Sequence, residues 1–325
     1  MKNVYVLGNG YSINLLKLLK ESSIVSPEVI DRIDLNNLFS KGDCVPCPDG
    51  SIGYLSKKYC PQLWKMGIRS TITTEKANEV INNIIISHRI CMQLNHNHKI
   101  SLTDNEYMNV YYELLNYLKR LFIYYNGMIT DDDLIKALNN DKIKIPIIDD
   151  TDIAESPSEY AIITYNYDVF FERLLKLKNI NYSIFGFPAS KSGVVIYKPH
   201  GSISFDLIRK HVGNVYDITC EDIVVKGTTS YDYLGSVLIP PHGFIVGDNT
   251  SWVKKIRDGV GEAIKSYPQK ICFWGIAYNY VDRDELNEII TDITLQTHIE
   301  YVNPYPSSAL DHIFSTIFKN YIHRK

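Results

Sequence analysis

Residues 2–12 have the sequence KNVYVLGNGYS, in which a short β-branched and apolar run stops at Gly8. Such a run, ended by a glycine, is typical of a buried parallel strand. The apolar residues that follow Ser12 have helical spacing and predict a helix immediately after the turn. Strand, glycine turn and helix in this order predict the first βα unit of an open parallel sheet, which binds ligands beyond the carboxyl ends of its strands.

The rest of the chain extends this α/β pattern. Apolar runs predict strands at residues 161–164, 194–197, 236–239, 270–274 and 298–302, and helical spacing predicts helices at 169–177, 252–264, 284–293 and 307–321. Their alternation predicts a doubly wound, mostly parallel Rossmann-like sheet. We expect residues 1–34 and 151–325 to form this domain. Residues 35–150, irregular at first and then helical, are predicted to be an insertion.

Composition limits the classes of function. Hydrophobic residues make up 45% of the chain, enough for a full core, and the formal net charge is -3. A nucleic-acid-binding protein typically has clustered basic residues, so we expect no direct nucleic-acid binding, although DNA contact through a partner stays open. No run approaches the ~18 apolar residues of a membrane span. The six scattered cysteines suit reduced thiols, and we expect a cytoplasmic protein that binds no membrane.

The turn Gly8-Asn9-Gly10 is the first candidate for ligand contact. A Gly-x-Gly turn between a strand and a helix directs backbone N–H groups to a pyrophosphate at the helix N-terminus. Ile13 stands where the dinucleotide fingerprint has its third glycine, so an ordinary βα turn is the alternative. Ser12 has two candidate roles, as a hydroxyl donor to the phosphate or as the helix N-cap.

Polar residues alternate after the strand at 161–164. Thr164, Asn166 and Asp168 occupy every second position, and extended backbone would direct all three to one side. They are therefore candidate ligand contacts. The alternative is structural, with Asp168 capping the next helix and Asn166 holding a turn.

A single histidine follows the strand at 194–197, in the segment Lys198-Pro199-His200-Gly201. Imidazole titrates near neutral pH, so His200 suits proton abstraction from water or from a ribose hydroxyl. A hydrogen-bonded structural histidine is the alternative.

Two later strands also end in turn residues. Gly275 follows the strand at 270–274 and Asn303 follows the strand at 298–302. In a nucleotide-binding protein Gly275 would give backbone contacts to the cofactor, and Asn303 would bind a ribose. Each is also compatible with an ordinary turn.

Together the ordered segments GNGYS, TYNYD, KPHGS, WGIAYNYVD and VNP resemble the sirtuin-like domains of bacterial antiphage defence systems. The first segment is also similar to the AbiH-type abortive-infection proteins. The resemblance covers residues 1–20 and 155–306. It implies NAD+ as the molecule bound and cleaved, with Asn166 and His200 as the catalytic residues. It also implies a phosphate loop and a ribose contact, formed by Gly8, Gly10, Ser12 and Asn303.

The chain departs from the deacylating sirtuins at two places. Their Gly-Ile-Pro-Asp-Phe-Arg run is missing after Ser12, and their two zinc-binding Cys-x-x-Cys pairs are missing after His200. These departures favour water over an acyl-lysine as the acceptor. We therefore expect an NAD+ hydrolase that forms nicotinamide and ADP-ribose as an abortive antiphage effector. An NAD-dependent deacylase and a catalytically silent nucleotide sensor are the alternatives.

We expect no metal. Cys44 and Cys47 have zinc-ligand spacing and Cys60 lies nearby, but a structural zinc needs four ligands and no second pair follows. The resemblance implies a homo-oligomer and, as candidate partner subunits, a HerA-like ATPase or an Argonaute-type protein. The chain has no P-loop signature, so ATPase activity would belong to such a partner.

Overall fold

A computed structural model describes residues 2–96, 106–187, 192–209, 216–220, 238, 251–278 and 282–325. The chain divides into two compact units. The first contains Met1–Pro27, Ile129–Pro199 and Thr250–Lys325, and the second contains Glu28–Met128 and His200–Asn249. The domain assignment made from the sequence, with boundaries at 34 and 150, stays a prediction. The compact units divide instead after Pro27 and Met128, and residues 200–249 belong to the second unit.

The strands are, in chain order, β1 (Asn3–Leu7), β2 (Tyr160–Thr164), β3 (Tyr182–Ile184), β4 (Val194–Tyr197), β5 (Phe205–Arg209), β6 (Tyr216–Cys220), β7 (Lys270–Trp274), β8 (His298–Val302) and β9 (Tyr321–Arg324). Seven of them form one sheet in the first unit, in the order β3-β4-β2-β1-β7-β8-β9, and every neighbouring pair is parallel. Helices flank this sheet. The predicted doubly wound, Rossmann-like α/β fold is confirmed.

The direction of chain growth reverses at the centre of the sheet. From β1 the chain adds β2, β3 and β4 on one side, and then β7, β8 and β9 on the other. Ligands of open α/β sheets bind beyond the carboxyl ends of the strands at such a switch point. Gly8 follows β1 and Gly275 follows β7. The two predicted cofactor loops therefore lie at the switch point.

The helices are α1 (Asn9–Glu21), α2 (Pro27–Ile30), α3 (Pro61–Lys65), α4 (Thr74–His96), α5 (Glu106–Met128), α6 (Asp131–Leu138), α7 (Thr151–Glu155), α8 (Phe170–Leu177), α9 (Ser251–Lys265), α10 (Arg283–Asp292) and α11 (Ser308–Ile317). The helices predicted at 169–177, 252–264 and 284–293 agree with α8, α9 and α10 to within one residue at each end. No helix of the described residues has both the length and the apolar character of a membrane span.

Some predicted elements differ from the structure. The closing helix predicted to reach residue 321 ends at Ile317, and the chain then enters β9, whose four residues are too few to show a strand period. The strand β3 has only three half-buried residues and gives no apolar signal. The strand predicted at 236–239 lies outside the described residues except for Leu238, which forms a bridge with Gly201.

Tyr11 fixes the start of α1 over the sheet. Its ring packs edge-on against Phe171 and Trp274, with centroid distances of 5.6 and 6.2 Å. Its hydroxyl donates to the carbonyl oxygen of Pro146 at 3.1 Å. Burial of this large ring stabilises the fold and holds α1 where its first turn meets the carboxyl ends of β1 and β7.

The second unit has a helical core and the antiparallel pair β5–β6. On α5, the buried Glu113 carboxylate accepts the N–H groups of Gln62 and Leu63 at the start of α3, at 3.1 and 2.7 Å. The Tyr117 hydroxyl donates to the carbonyl oxygen of Leu38 at 2.7 Å. Tyr117 thus serves internal packing of the second unit.

The helix α6 begins with a capping box. Thr130 Oγ1 accepts the N–H of Asp133 at 3.2 Å, and Asp133 Oδ2 accepts the N–H of Thr130 at 3.0 Å. We expect Thr130→Ala to lower the free energy of unfolding by about 1 kcal/mol, because the first turn loses a cap. Urea denaturation measures this. Thr151→Ala is the control. Thr151 is exposed and is the first residue of α7, whose N-cap is Asp150, so this substitution removes no cap and should change stability by less than about 0.5 kcal/mol.

Candidate functional site

The turn after β1 packs directly against the loop after β7. The N–H of Gly8 donates to the carbonyl oxygen of Trp274 at 2.9 Å, and the N–H of Gly10 donates to that of Gly275 at 3.1 Å. A Cβ at Gly10 would lie 2.6 Å from Gly275 Cα, and Gly275 itself has φ +61°. The two backbones approach too closely for any side chain to stand between them.

This contact bears on the predicted phosphate loop. The N–H groups of Gly8 and Gly10 have carbonyl partners in the structure, so a phosphate would compete with Gly275 for the Gly10 N–H. The ordinary-turn alternative therefore accounts for the glycines at 8 and 10. Asn9 is the first residue of α1, in the same turn. The phosphate role of this turn stays a prediction.

Ser12 is not the helix cap. The helix α1 begins at Asn9 with Gly8 as its N-cap, so Ser12 lies within the first turn, and the predicted N-cap role is wrong. The serine side chain is buried, and its hydroxyl donates to Asp168 Oδ2 at 2.8 Å. A hydroxyl group engaged by a carboxylate in this way is oriented before any ligand arrives.

Asn166 is held by both hydrogens of its amide group. Its Nδ2 donates to the Gly8 carbonyl oxygen and to Ser12 Oγ, each at 3.1 Å. Because a carbonyl oxygen only accepts, the contact with Gly8 fixes which side of the amide carries nitrogen. Its backbone N–H donates to Thr164 Oγ1 at 3.2 Å. Among the described residues, no hydrogen bond engages the amide oxygen Oδ1, which is left as the acceptor for a ligand.

Asp168 joins α1 to α8. Its Oδ2 accepts Ser12, and its Oδ1 accepts the N–H of Phe170, the first residue of α8, at 3.2 Å. The predicted alignment of Asn166 and Asp168 toward one side therefore brings both into contact with Ser12. Burial raises the pKa of the Asp168 carboxyl above its usual value, and the Lys198 ammonium and the Ser12 hydroxyl oppose that rise.

A buried ion pair lies under this cluster. The Lys198 ammonium contacts Glu172 Oε1 at 2.6 Å and donates to the backbone carbonyl oxygen of Asp168 at 2.7 Å. Neither residue was predicted as part of the site. Two signals were available: a lysine next to a buried apolar strand requires a partner, and Glu172 is an acidic residue in the helix predicted at 169–177.

Asn303 makes a second bridge between strand ends. Its Nδ2 donates to the Ile276 carbonyl oxygen at 3.0 Å, and its Oδ1 accepts the N–H of Tyr305 at 3.0 Å. The side chain thus holds the loop after β8 to the loop after β7. Its predicted contact with a ribose stays a prediction.

His200 belongs to the second unit. It follows Lys198 by two residues along the chain, and its side chain is buried. The next residue, Gly201, has φ +79°, a left-handed conformation that favours glycine, and forms a bridge with Leu238. The predicted role of His200 as a base stays a prediction.

No group of three or more His, Cys, Asp or Glu side chains within the described ranges could hold a metal ion. The buried Cys60 thiol donates to the Tyr54 carbonyl oxygen at 3.3 Å, and burial raises its pKa above the usual value. A thiolate is the form that binds zinc, so this environment disfavours Cys60 as a ligand.

Comparison with models of known protein families gives no match for this chain, and comparison with curated proteins gives none either. The resemblance to sirtuin-like domains therefore stays a hypothesis drawn from the short motifs.

Substitution at Gly10 tests whether the glycine serves packing. We expect Gly10→Ala to lower the free energy of unfolding by about 1–3 kcal/mol, because the new Cβ meets the Gly275 backbone. Gly261→Ala is the matched control. Gly261 lies in α9, where a Cβ meets nothing within 4 Å, so this change should stabilise by about 0.5–1 kcal/mol. Equal effects in urea denaturation would show that the close backbone contact is unimportant.

The raised pKa of Asp168 also predicts a pH dependence of stability. The unfolded chain releases this proton first, so wild-type stability falls as pH rises from about the ordinary value of 3.8 through the folded pKa. Asp168→Asn removes this titration. We therefore expect the free energy of unfolding of the variant, relative to wild type, to increase between about pH 4 and pH 7. Denaturation curves across that range measure it, and a difference that falls with pH would contradict the raised pKa.

Proposed function

We propose that the chain is an NAD+ hydrolase that breaks the nicotinamide–ribose bond. Water supplies the hydroxyl of the ADP-ribose product, nicotinamide leaves with the bonding electrons, and one proton is released. The site lies at the switch point of a parallel sheet, the usual position for a nucleotide in this fold. The choice of NAD+ as the substrate rests on the resemblance of five ordered motifs to sirtuin-like domains.

The observation that carries the proposal is the orientation of Asn166. Both amide hydrogens are engaged, by Gly8 and by Ser12, and the oxygen Oδ1 is the remaining acceptor. An oriented amide oxygen suits a ribose hydroxyl or the attacking water, each of which donates a hydrogen. Fixing the acceptor before binding favours the transition state, because no reorganisation is needed when the oxocarbenium-like charge develops.

His200 is proposed as the base on the ground of the sequence resemblance. Its imidazole would take the proton from water or from an adjacent hydroxyl. The same resemblance supports an abortive antiphage role, and the scattered cysteines support a cytoplasmic location. The resemblance also supports a homo-oligomer, with a HerA-like ATPase or an Argonaute-type protein as a candidate partner subunit.

Product analysis tests the reaction. Purified protein incubated with NAD+ should release nicotinamide and ADP-ribose in equal amounts, as measured by mass-resolved chromatography. A second incubation contains an acetyl-lysine peptide. Acetyl-ADP-ribose without plain ADP-ribose would identify a deacylase instead. NAD+ that binds in calorimetry but stays intact, alone and with candidate partner subunits, would identify a nucleotide sensor.

Two variants separate chemistry from binding. His200→Ala should lower turnover by ~10²–10⁴ with little change in NAD+ affinity, because it removes the base. Asn166→Ala should also abolish turnover, and it should weaken binding because the oriented Oδ1 is lost. His312→Ala, on α11, is the control and should retain wild-type turnover. A His200→Ala protein that cleaves NAD+ at the normal rate would leave the proposed mechanism without its base.

A further inference from the structure

Lys198 is fully buried, with 0% of its side chain exposed, and its partner Glu172 is 8% exposed. Lysine is among the residues least often found fully buried, because its ammonium loses strong hydration. Here the ammonium lies at the carboxyl end of β4, in contact with one carboxylate and one carbonyl oxygen. Its position at the ligand-binding edge of the sheet calls for a reason.

Stability alone does not supply that reason. A buried ion pair can usually be replaced by apolar side chains of similar volume with no loss of stability, because the removal of two charges from water offsets their attraction. Loss of one partner is costly, since the other charge is then buried alone. This favours a role in which the charge of the pair acts on a neighbouring group.

The neighbour is Asp168. The Lys198 ammonium holds its backbone carbonyl, and the Asp168 carboxylate accepts the Ser12 hydroxyl. Ser12 Oγ in turn accepts an Asn166 amide hydrogen. A chain of hydrogen bonds thus runs from the buried ammonium to the proposed catalytic asparagine.

The direction of this chain depends on the charge of Asp168. An ionised carboxylate only accepts, so the Ser12 hydroxyl must donate to it and its oxygen is left to accept Asn166. A protonated Asp168 could donate to Ser12 instead. The Ser12 hydrogen could then point toward Asn166 Nδ2, and the hydrogen bond from Asn166 to Ser12 would be lost, which leaves the Gly8 carbonyl oxygen as the remaining partner of Nδ2.

We propose that Lys198 and Glu172 are positioning residues: the ammonium, held by Glu172, opposes protonation of Asp168 and so preserves the hydrogen bond from Asn166 to Ser12, the second of the two contacts that hold the amide for its ligand. This inference deepens the proposed NAD+ cleavage and rests on it for the identity of the ligand. It concerns neither substrate contact nor proton transfer by Lys198 itself.

The charged surroundings of Asp168 agree with this role. Burial is the largest influence and raises the pKa of Asp168, Lys198 is the strongest influence that lowers it, and Glu172 raises it by less. Tyr11 also faces the group from α1, and burial keeps the tyrosine neutral by raising its pKa. Removal of Lys198 and Glu172 together should therefore raise the pKa of Asp168.

The test uses a double variant, Lys198→Met with Glu172→Leu, in the full chain. Lys198→Met alone should fold less stably, because Glu172 is left without its ammonium, and the double variant should recover the wild-type melting temperature. If the charge positions Asn166, the recovered protein should still be impaired. We expect the acid limb of its kcat profile to move to higher pH by about one unit, a tenfold loss on that limb.

Lys270→Met is the matched control. Lys270 is paired with Glu300 at 2.9 Å but stands at the start of β7, at the opposite end of the strand from Gly275. This variant should keep the wild-type pH profile. A double variant that folds and retains the wild-type rate and profile would overturn the inference and make the Lys198–Glu172 pair purely structural.

A readout without turnover separates this inference from the proposed function. Carbon-13 labelling of aspartate carboxyls follows the titration of Asp168, assigned by the signal lost in Asp168→Asn. Whether or not wild type cleaves NAD+, the double variant should titrate at higher pH than wild type, and Lys270→Met should not. An unchanged titration in the double variant would overturn the inference even if NAD+ cleavage is established.

Discussion

The close approach of two backbones at Gly10 and Gly275 is the constraint on which the candidate site depends. It joins the first turn of α1 to the end of β7 at the switch point, where the chain changes the side of β1 on which it adds strands. Because no side chain fits between them, the position of α1 is fixed by main-chain geometry. The position of α1 in turn places the Ser12 side chain within hydrogen-bonding distance of Asp168, in the segment that follows β2. The register of the strands alone would not determine this placement.

Around this contact, each polar side chain of the site is held by a different element. Ser12 belongs to α1, Asn166 follows β2, Asp168 precedes α8, and Lys198 follows β4. A group tied to several elements has few alternative rotamers, since each rotamer change would break bonds to more than one of them. The side chains of the site are therefore held in place by the packing of the sheet and its helices, as in sites that are preorganised on rigid elements. Their mutual hydrogen bonds also compensate for the burial of polar groups at positions where apolar side chains would be expected.

The sequence predicted the central strands well and the site only in part. The strands β1, β2, β4, β7 and β8 are apolar runs ended by turn residues, and this local signal is enough to find them. The edge strands β3 and β9 are short and half-buried, so their pairing is decided by the sheet and not by their own residues. Asn166 and Asp168 were found because they alternate after a strand. The ion pair of Lys198 with Glu172 joins residues 26 apart, and the carboxylate that accepts the Ser12 hydroxyl lies 156 residues away. A local pattern can show that a residue such as Lys198 needs a partner, but it does not show which distant residue that partner is.

The wide sequence separation also governs how the protein folds. The strand β1 pairs with β2 and β7, so residues 3–7 find their partners only at 160–164 and 270–274. Contacts of this range form slowly, because a long loop must close before any bond compensates for the lost chain entropy. During synthesis the Gly8–Gly10 turn meets Gly275 only after most of the chain has left the ribosome. For much of its synthesis, the growing chain therefore contains residues of the site that are not yet assembled. Whatever chemistry the site performs can begin only when the fold is complete.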